Sequence, residues 1–271
     1  MSRMTRTPAT LPLSSDVLEA VRDAVPLIQS LTNAVTVELV ANTTLSLGAT
    51  PAMVDIVGEA GPFASVASAV HINIGTPHAE QREAMLEAAD AAVASGTPWV
   101  LDPVAVGMLP VRTALASELL KRRPTIIRGN ASEIIALAGV GAGGRGVDSE
   151  DDVEDAEVAA RELARITGGA VAVSGPVDLI VDTDRTVRIA GGSVLLTRIT
   201  GGGCALGAVM AACVAVHPDP FEAAAAASDI YGQAAERAAA MAAGPGDFRS
   251  RLMDSLAGLS AAELRAQESA A

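Results

Sequence analysis

The chain has 271 residues, half of them hydrophobic, enough for one large core. Its formal net charge is −13 and its only lysine is Lys121, which excludes nucleic acid and anionic membrane as expected partners, since both reward clustered basic residues. No Gly-x-x-x-x-Gly-Lys-Ser/Thr stretch occurs, so a P-loop is excluded and any phosphate must be held by arginine and backbone N–H groups. No apolar run approaches the ~18 residues of a membrane span, and the first residues lack the apolar stretch of a signal peptide, so a cytoplasmic location is expected. Residues 1–13 are expected to form a loose tail and 14–271 a single domain.

In chain order, Ser15-Asp16 predicts the cap of a helix reaching Val25, and "PLIQSLTN" a strand running into a loop. Ala34–Leu47 reads as a helix stopped by Gly48, and "TPAMV" as a short strand. "SAVHINIGT" is a buried strand, followed by a helix from His78 to Ser95 that Gly96 ends. "PWVLDPV", a helix over Arg112–Lys121, "TIIRGN" and the helical "ASEIIALAG" come next, then an acidic-faced helix over Asp148–Thr167. "GAVAVSG" is a strand, "DLIVDTD" with "TVRIAGG" a hairpin, and "SVLLTRIT" a last strand. From Ala205 the chain is helical, with breaks at His217–Pro220 and Gly244–Gly246. Repeated strand–helix units with continuous apolar strands argue for a mostly parallel sheet covered on both faces. Ligands then bind beyond the carboxyl ends of the strands, which directs attention to Thr32-Asn33, Gly75-Thr76, Asp102-Pro103, Arg128–Asn130, Ser174-Gly175 and Thr200–Cys204.

The glycines of "TGGGC", Gly201 to Gly203, enter an almost wholly apolar helix. Such a turn offers unpaired N–H groups and the positive end of a helix dipole to an anion, or is simply a tight strand-to-helix turn. In "IIRGNASEI", Asn130 with Glu133 spells a helix-capping arrangement; alternatively, Arg128 meets a nucleotide phosphate and Glu133 lies near a magnesium ion. Asp102 is either a turn residue before Pro103 or a second carboxylate in the metal's outer shell. "GVGAGG" (Gly139–Gly144) matches a dinucleotide-binding fingerprint but follows a helix, so it reads as a loop. His71, His78 and His217 show no metal spacing, and His71 reads as a strand residue. Cys204 and Cys213 fall on opposite faces of one helix, roughly 13 Å apart along its axis, and are expected as free thiols.

The ordered runs "PLIQSLTNAVTVELVAN", "LGATPAMV", "NIGT", "VLDPV", "IIRGNASEI", "GVDS", "VAVSGPVDLIVD", "LLTRITGGGCALGAVMAA" and "GPGDF" span about Pro26 to Leu256. Together they resemble hydroxyethylthiazole kinase, of the ribokinase-like superfamily. The resemblance implies a three-layer α/β/α sandwich with a mostly parallel central sheet, a homotrimer with sites at subunit interfaces, and magnesium-assisted transfer of the ATP γ-phosphate to the alcohol of 4-methyl-5-(2-hydroxyethyl)thiazole. It places Asn33, Met53 and Gly75 at the thiazole, Arg128 and Ser174 at the ATP phosphates, and Glu133 with Asp102 at magnesium. Gly201, Gly202 and Gly203 become an anion hole, and Cys204 stands where the superfamily usually has an aspartate base. As a base it requires a thiolate, whose pKa a helix N-terminus is expected to lower; the glycines, Arg128 and magnesium are expected to carry most of the rate. Two departures stand out. "DPVAVGML" replaces the usual "DPVGAGA", with Ala105 and Met108, and "VGEAGPF" keeps only Glu59 of an acidic pair. Both bear on substrate preference, so the alternatives are a kinase of another vitamin alcohol (a hydroxymethylpyrimidine or pyridoxal type), an NAD(P)H-hydrate dehydratase, or a nucleotide-binding regulator without catalysis.

Overall fold

The computed structural model describes residues 14–141 and 153–270; the expected tail 1–13 and residues 142–152 lie outside this range. The first half runs α1 (Ser14–Ala24), β1 (Leu27–Leu31), α2 (Val37–Leu47), β2 (Thr50–Ala52), α3 (Ala60–Ala64), β3 (Ala69–Asn73), α4 (Ala79–Ser95), β4 (Trp99–Asp102) and α5 (Pro110–Leu120). Then come β5 (Ile126–Asn130), α6 (Ala131–Gly141), α7 (Val153–Thr167), β6 (Ala170–Ser174), β7 (Val177–Val181), β8 (Thr186–Ala190), α8 (Gly202–Val216), α9 (Pro220–Met241), α10 (Pro245–Gly258) and α11 (Ala261–Ala270). The strands form one eight-stranded sheet in the order β2-β1-β3-β4-β5-β6-β7-β8. β1 to β6 are parallel, and the β7–β8 hairpin closes the edge antiparallel.

The period of two along a strand splits the core. Val70, Ile72, Leu101, Ile127, Val171 and Val173 pack under α3 to α7. Ala69, Val100, Ile126, Ala170 and Ala172 pack on the other face, under α1, α8, α9 and α10. This is the expected three-layer sandwich. α8 lies across β3 and β4 and is buried continuously from Ala205 to Val214, which explains an apolar sequence with no polar stripe. The same parity carries a polar set onto the α8 side: His71 and Asn73 in β3, Asp102 in β4, Arg128 in β5 and Ser174 in β6. All but His71 lie at or near the carboxyl ends of their strands.

Several sequence expectations change. "SVLLTRIT" is not a strand: Val194–Arg198 is a 3-10 turn, because the chain here leaves the sheet edge at β8 and crosses to the start of α8. α2 begins at Val37 rather than Ala34, since residues 34–36 form a turn closed by Thr36 N–H donating to the Asn33 carbonyl (3.1 Å). Ser15 lies inside α1, where its hydroxyl donates to Glu268 of α11 (2.9 Å) instead of capping. Of the supposed loop Gly139–Gly144, residues 139–141 continue α6, and the rest lies outside the described residues, as does 148–152 of the acidic helix. A break at Leu259-Ser260, directly after Gly258, separates α10 from α11 and was not expected from the sequence.

Two local features, one half-buried and one fully buried, carry consequences for stability. Ala105 holds a left-handed φ of +58°, and its N–H donates to Glu133 Oε1 (2.9 Å). An L-residue there costs about 1–2 kcal/mol, of which glycine's greater unfolded-state entropy cancels a part. We expect Ala105→Gly to stabilise the fold by about 1 kcal/mol, read as a higher midpoint in denaturant with an unchanged slope. His71 is fully buried with neither ring nitrogen hydrogen-bonded, and fits only because Gly207 of α8 has no side chain: a Cβ there would lie 2.5 Å from Nε2. Burial, with the nearby Arg128 charge, pushes its pKa down from 6.5 to about 3. The unfolded chain therefore takes up a proton below pH 6.5 that the folded chain refuses. The contribution of His71 is complete above pH 6.5 and is lost as pH falls towards 3, at up to about 1.4 kcal/mol per pH unit. Asp102, raised by burial from 3.8 to about 6, acts with the opposite sign between those values. That effect is common to wild type and variant and cancels on comparison. Unfolding free energies measured from pH 7 to 4 should thus fall less steeply for His71→Leu than for the unsubstituted chain.

Candidate functional site

The carboxyl ends of β3 to β6 meet the amino end of α8. Gly201 takes a left-handed φ of +89° as the residue preceding α8, and a Cβ on it would lie 2.7 Å from Thr36 Cγ2. A Cβ on Gly202 would lie 2.5 Å from the Leu196 carbonyl oxygen, and one on Gly203 would lie 2.7 and 2.9 Å from the terminal nitrogens of Arg128. Each glycine is thus required by a different neighbour, and together they let the helix start sit on α2, the 3-10 turn and β5 at once. Tyr231 of α9, buried, donates its hydroxyl to the Gly202 carbonyl (2.8 Å) and pins that first turn. The leading amides of α8 have no acceptor within the helix, so the turn presents donors and a positive dipole end beside the Arg128 guanidinium.

Arg128 is held from two sides. Its Nε donates to Ser174 Oγ (3.1 Å) and its Nη1 to Asp102 Oδ2 (3.5 Å). Asp102 has no exposed side-chain surface, and its other oxygen has no partner. Burial and the Glu133 charge push its carboxyl up to about 6, while Arg128 and a hydrogen bond from Asn73 Nδ2 (2.7 Å) pull the other way. On Arg128, burial opposes the charge, but the surrounding acids prevail and its pKa is raised. Asn33 Nδ2 donates to Asn73 Oδ1 (2.8 Å) and lies 3.6 Å from Cys204 Sγ; Gly75 N–H donates to the same Asn73 Oδ1 (3.0 Å). A Cβ on Gly75 would lie 2.6 Å from Asn33 Nδ2, so this glycine lets the Asn33 side chain close on the strand end.

The Cys204 expectation is corrected here. Burial, then the Asp102 charge, raise its pKa, and the hydrogen bonds from Asn73 and Asn33 and the charge of Arg128 do not reverse this. At neutral pH the group is a thiol, and the helix terminus does not make it a thiolate. Cys204 and Cys213 are both free, as expected.

The structure gathers Asn33, Gly75, Asp102, Arg128, Ser174, Gly201–Gly203 and Cys204 into one contact set. Glu133 stands at its margin. Its Oε1 accepts from Ala105 N–H (2.9 Å) and its Oε2 from Asn130 N–H (2.9 Å), while Asn130 Oδ1 accepts from Glu133 N–H (2.9 Å). This is the capping box, and it leaves the carboxylate with spare lone pairs. Among the described residues no group of three or more His, Cys, Asp or Glu is arranged for a metal. Two carboxylates close enough for Glu133 to raise the pKa of Asp102, with one Asp102 oxygen unpaired, fit a magnesium ion that keeps most of its waters. Met53, half-buried in the segment after β2, stands apart from this hydrogen-bonded set. Sequence inspection missed Asn73 and Tyr231. Asn73 carries the same strand-end parity as Asp102, opposite which it pairs in the sheet, but it sits between isoleucines inside an apolar run.

Beside Arg128 and Gly203 a cavity of about 620 Å³ opens between β6–β8, the 3-10 turn and α9, with Asp178, Ser228 and Tyr231 in its lining. Its volume suits a nucleotide-sized ligand.

A model of the hydroxyethylthiazole kinase family matches residues 18–262. The chain is 60% identical over 245 residues to a hydroxyethylthiazole kinase of Clavibacter sepedonicus, covering 90% of this chain and 89% of that one. It is 53% identical over 266 residues to that of Kineococcus radiotolerans, covering 98% and 97%. The solved structure of a hydroxyethylthiazole kinase protein from Pyrococcus horikoshii superposes with a TM-score of 0.85 at 37% identity, covering 91% of this chain and 93% of that one. A pyridoxal kinase from Staphylococcus aureus, at 17% identity and a TM-score of 0.59, shares the fold. With the glycine turn, the arginine it accommodates and the matching fold in place, the chain belongs to the hydroxyethylthiazole kinase family.

Proposed function

We propose that the chain transfers the γ-phosphoryl group of ATP to the primary alcohol of 4-methyl-5-(2-hydroxyethyl)thiazole, in thiamine biosynthesis or salvage. The observation that carries this reading, beyond family membership, is the seating of the glycine turn under Arg128 at the mouth of the 620 Å³ cavity. ATP occupies that cavity with its phosphates on Arg128, Ser174 and the α8 amides. The alcohol sits at Asn33 and Gly75, with Met53 on its outer wall. The catalytic unit is one ribokinase-like domain over 14–271, acting in the cytoplasm. No described helix is long and apolar enough to cross a membrane. A homotrimer is supported by exposed apolar side chains near the Asn33 and Met53 segments, namely Val35, Ile56 and Val57.

In the transfer the alcohol oxygen forms a bond to the γ-phosphorus, and the bond to the bridging oxygen breaks with its electron pair leaving on ADP. The transition state is loose in most analyses and needs little nucleophile activation. A neutral Cys204 is therefore sufficient, and the protein's contribution is positioning and charge: Arg128 and the α8 amides meet the phosphoryl oxygens. Asp102 and Glu133 would hold magnesium through its waters, and the ion supplies charge neutralisation on the phosphates when bound. Ala105 and Met108, at the turn after β4, are the positions where substrate preference would depart from the family.

Incubation with the thiazole alcohol, ATP and Mg²⁺ should give the phosphate monoester, and a panel including hydroxymethylpyrimidine and pyridoxal should rank below it. Absence of product with every alcohol would refute the kinase reading. Within an active enzyme, Cys204→Ala should lower kcat by less than ~10⁴-fold, and a larger loss would make the thiol essential. Gly203→Ala, which displaces the Arg128 guanidinium, should lower kcat/KM for ATP by about 10²-fold or more, so ATP kinetics close to wild type would count against the assigned role of Arg128.

A further inference from the structure

Asn73 has no exposed surface, yet all of its polar atoms are engaged. A backbone N–H can only donate, so the bond from Gly75 fixes which end of the Asn73 amide is oxygen, and its nitrogen must face Asp102. That settles the next amide. Asn33 meets Asn73 Oδ1 and must present Nδ2 to it, and the same Nδ2 lies 3.6 Å from Cys204 Sγ. The Asn33 oxygen is then left over as a buried acceptor without a partner in the protein. In the hydrogen-bonded set around the glycine turn, only this oxygen and Asp102 Oδ1 are left so, and each calls for a partner.

We propose that Asn73 is a positioning residue whose fixed amide turns the oxygen of Asn33 towards the substrate hydroxyl, so that Asn33 Oδ1 accepts the hydroxyl's hydrogen bond. The inference rests on the kinase reading above. Its chemical point is polarity. A hydroxyl whose proton is held by Oδ1 keeps its lone pairs free for the γ-phosphorus. A flipped Asn33 would donate to that oxygen and occupy a lone pair the reaction requires. An amide does not take up the proton: as the O–P bond forms and the bridging P–O bond breaks, the proton passes to an oxygen of the transferred phosphoryl group. No base is needed, in keeping with the neutral Cys204 thiol. Asn33 touches the substrate in this scheme, and Asn73 acts only through Asn33.

The test is a kinetic double-mutant cycle on the full chain with the thiazole alcohol, ATP and Mg²⁺. Asn33→Ala and Asn73→Ala should each lower kcat about tenfold to a hundredfold while the KM for ATP stays within about threefold. The double variant should be no slower than the slower single variant, because Asn73 has nothing to orient once Asn33 is gone. Costs that multiply in the double variant would overturn the proposal, as would an unchanged kcat for Asn73→Ala. A rise in the KM for ATP that tracks the loss of kcat would also overturn it, since Asn73 would then act through Asp102 and Arg128. If Asn73→Ala does not fold, the same cycle with Asn73→Leu, which fills the space but offers Asn33 no oxygen, gives the same discrimination. Failure of the unsubstituted chain to phosphorylate any alcohol would refute the kinase reading instead, so the two failures are distinguishable.

Discussion

The contact on which the site depends is the approach of Gly203 to the Arg128 guanidinium. A single methyl group at that position would overlap the charge. Everything near it follows from letting a helix begin directly beside a buried arginine. The arginine needs a counter-charge, which Asp102 supplies at the price of its own hydration, so its carboxyl is pushed up to about 6. Removing one member of such a pair leaves an uncompensated buried charge and costs about 3–5 kcal/mol, whereas the intact pair adds little net stability. The pair is therefore better understood as fixing the direction of Arg128 than as holding the fold together.

The fold was largely legible because β3 to β6 are apolar on both faces and end abruptly in polar residues. Asp102, Arg128 and Ser174 stand at those ends, and period-two parity places them on one face without further information. Asn73 obeys the same rule but is hidden between Ile72 and Ile74, with Gly75 and Thr76 after it drawing attention away. The run "SVLLTRIT" has strand composition, yet the chain leaves the sheet at its edge strand β8 and turns towards α8 instead of adding a strand. The state of Cys204 was beyond reach, since a helix N-terminus is local and visible in sequence while the burial that raises its pKa arises from the assembled site. Of the two expectations for Glu133, the capping box is the one the structure bears out. The capping box uses one lone pair of each oxygen, and a hydrated cation can use another.

Ala105 illustrates how a turn can hold an L-residue in a left-handed conformation. The turn keeps its left-handed backbone and its bond to Glu133, so the strain falls on stability rather than on geometry. Gly107, two residues on, also takes a left-handed φ, +92°, and a Cβ there would lie 2.8 Å from Ala136 Cβ. The turn therefore tolerates a methyl group at one of these positions and not at the other.

α8 is buried along nearly its whole length against the sheet and α9. Catalytic turns are commonly drawn from the least stable parts of a protein, where they open locally. Here the glycine turn leads into a helix buried without a break from Ala205 to Val214, so α8 cannot fray beyond its first turn without exposing core. Its amides beyond the first turn would exchange with solvent only when the whole molecule opens. Heat inactivation and global unfolding would then share one midpoint, with no folded but inactive species between them.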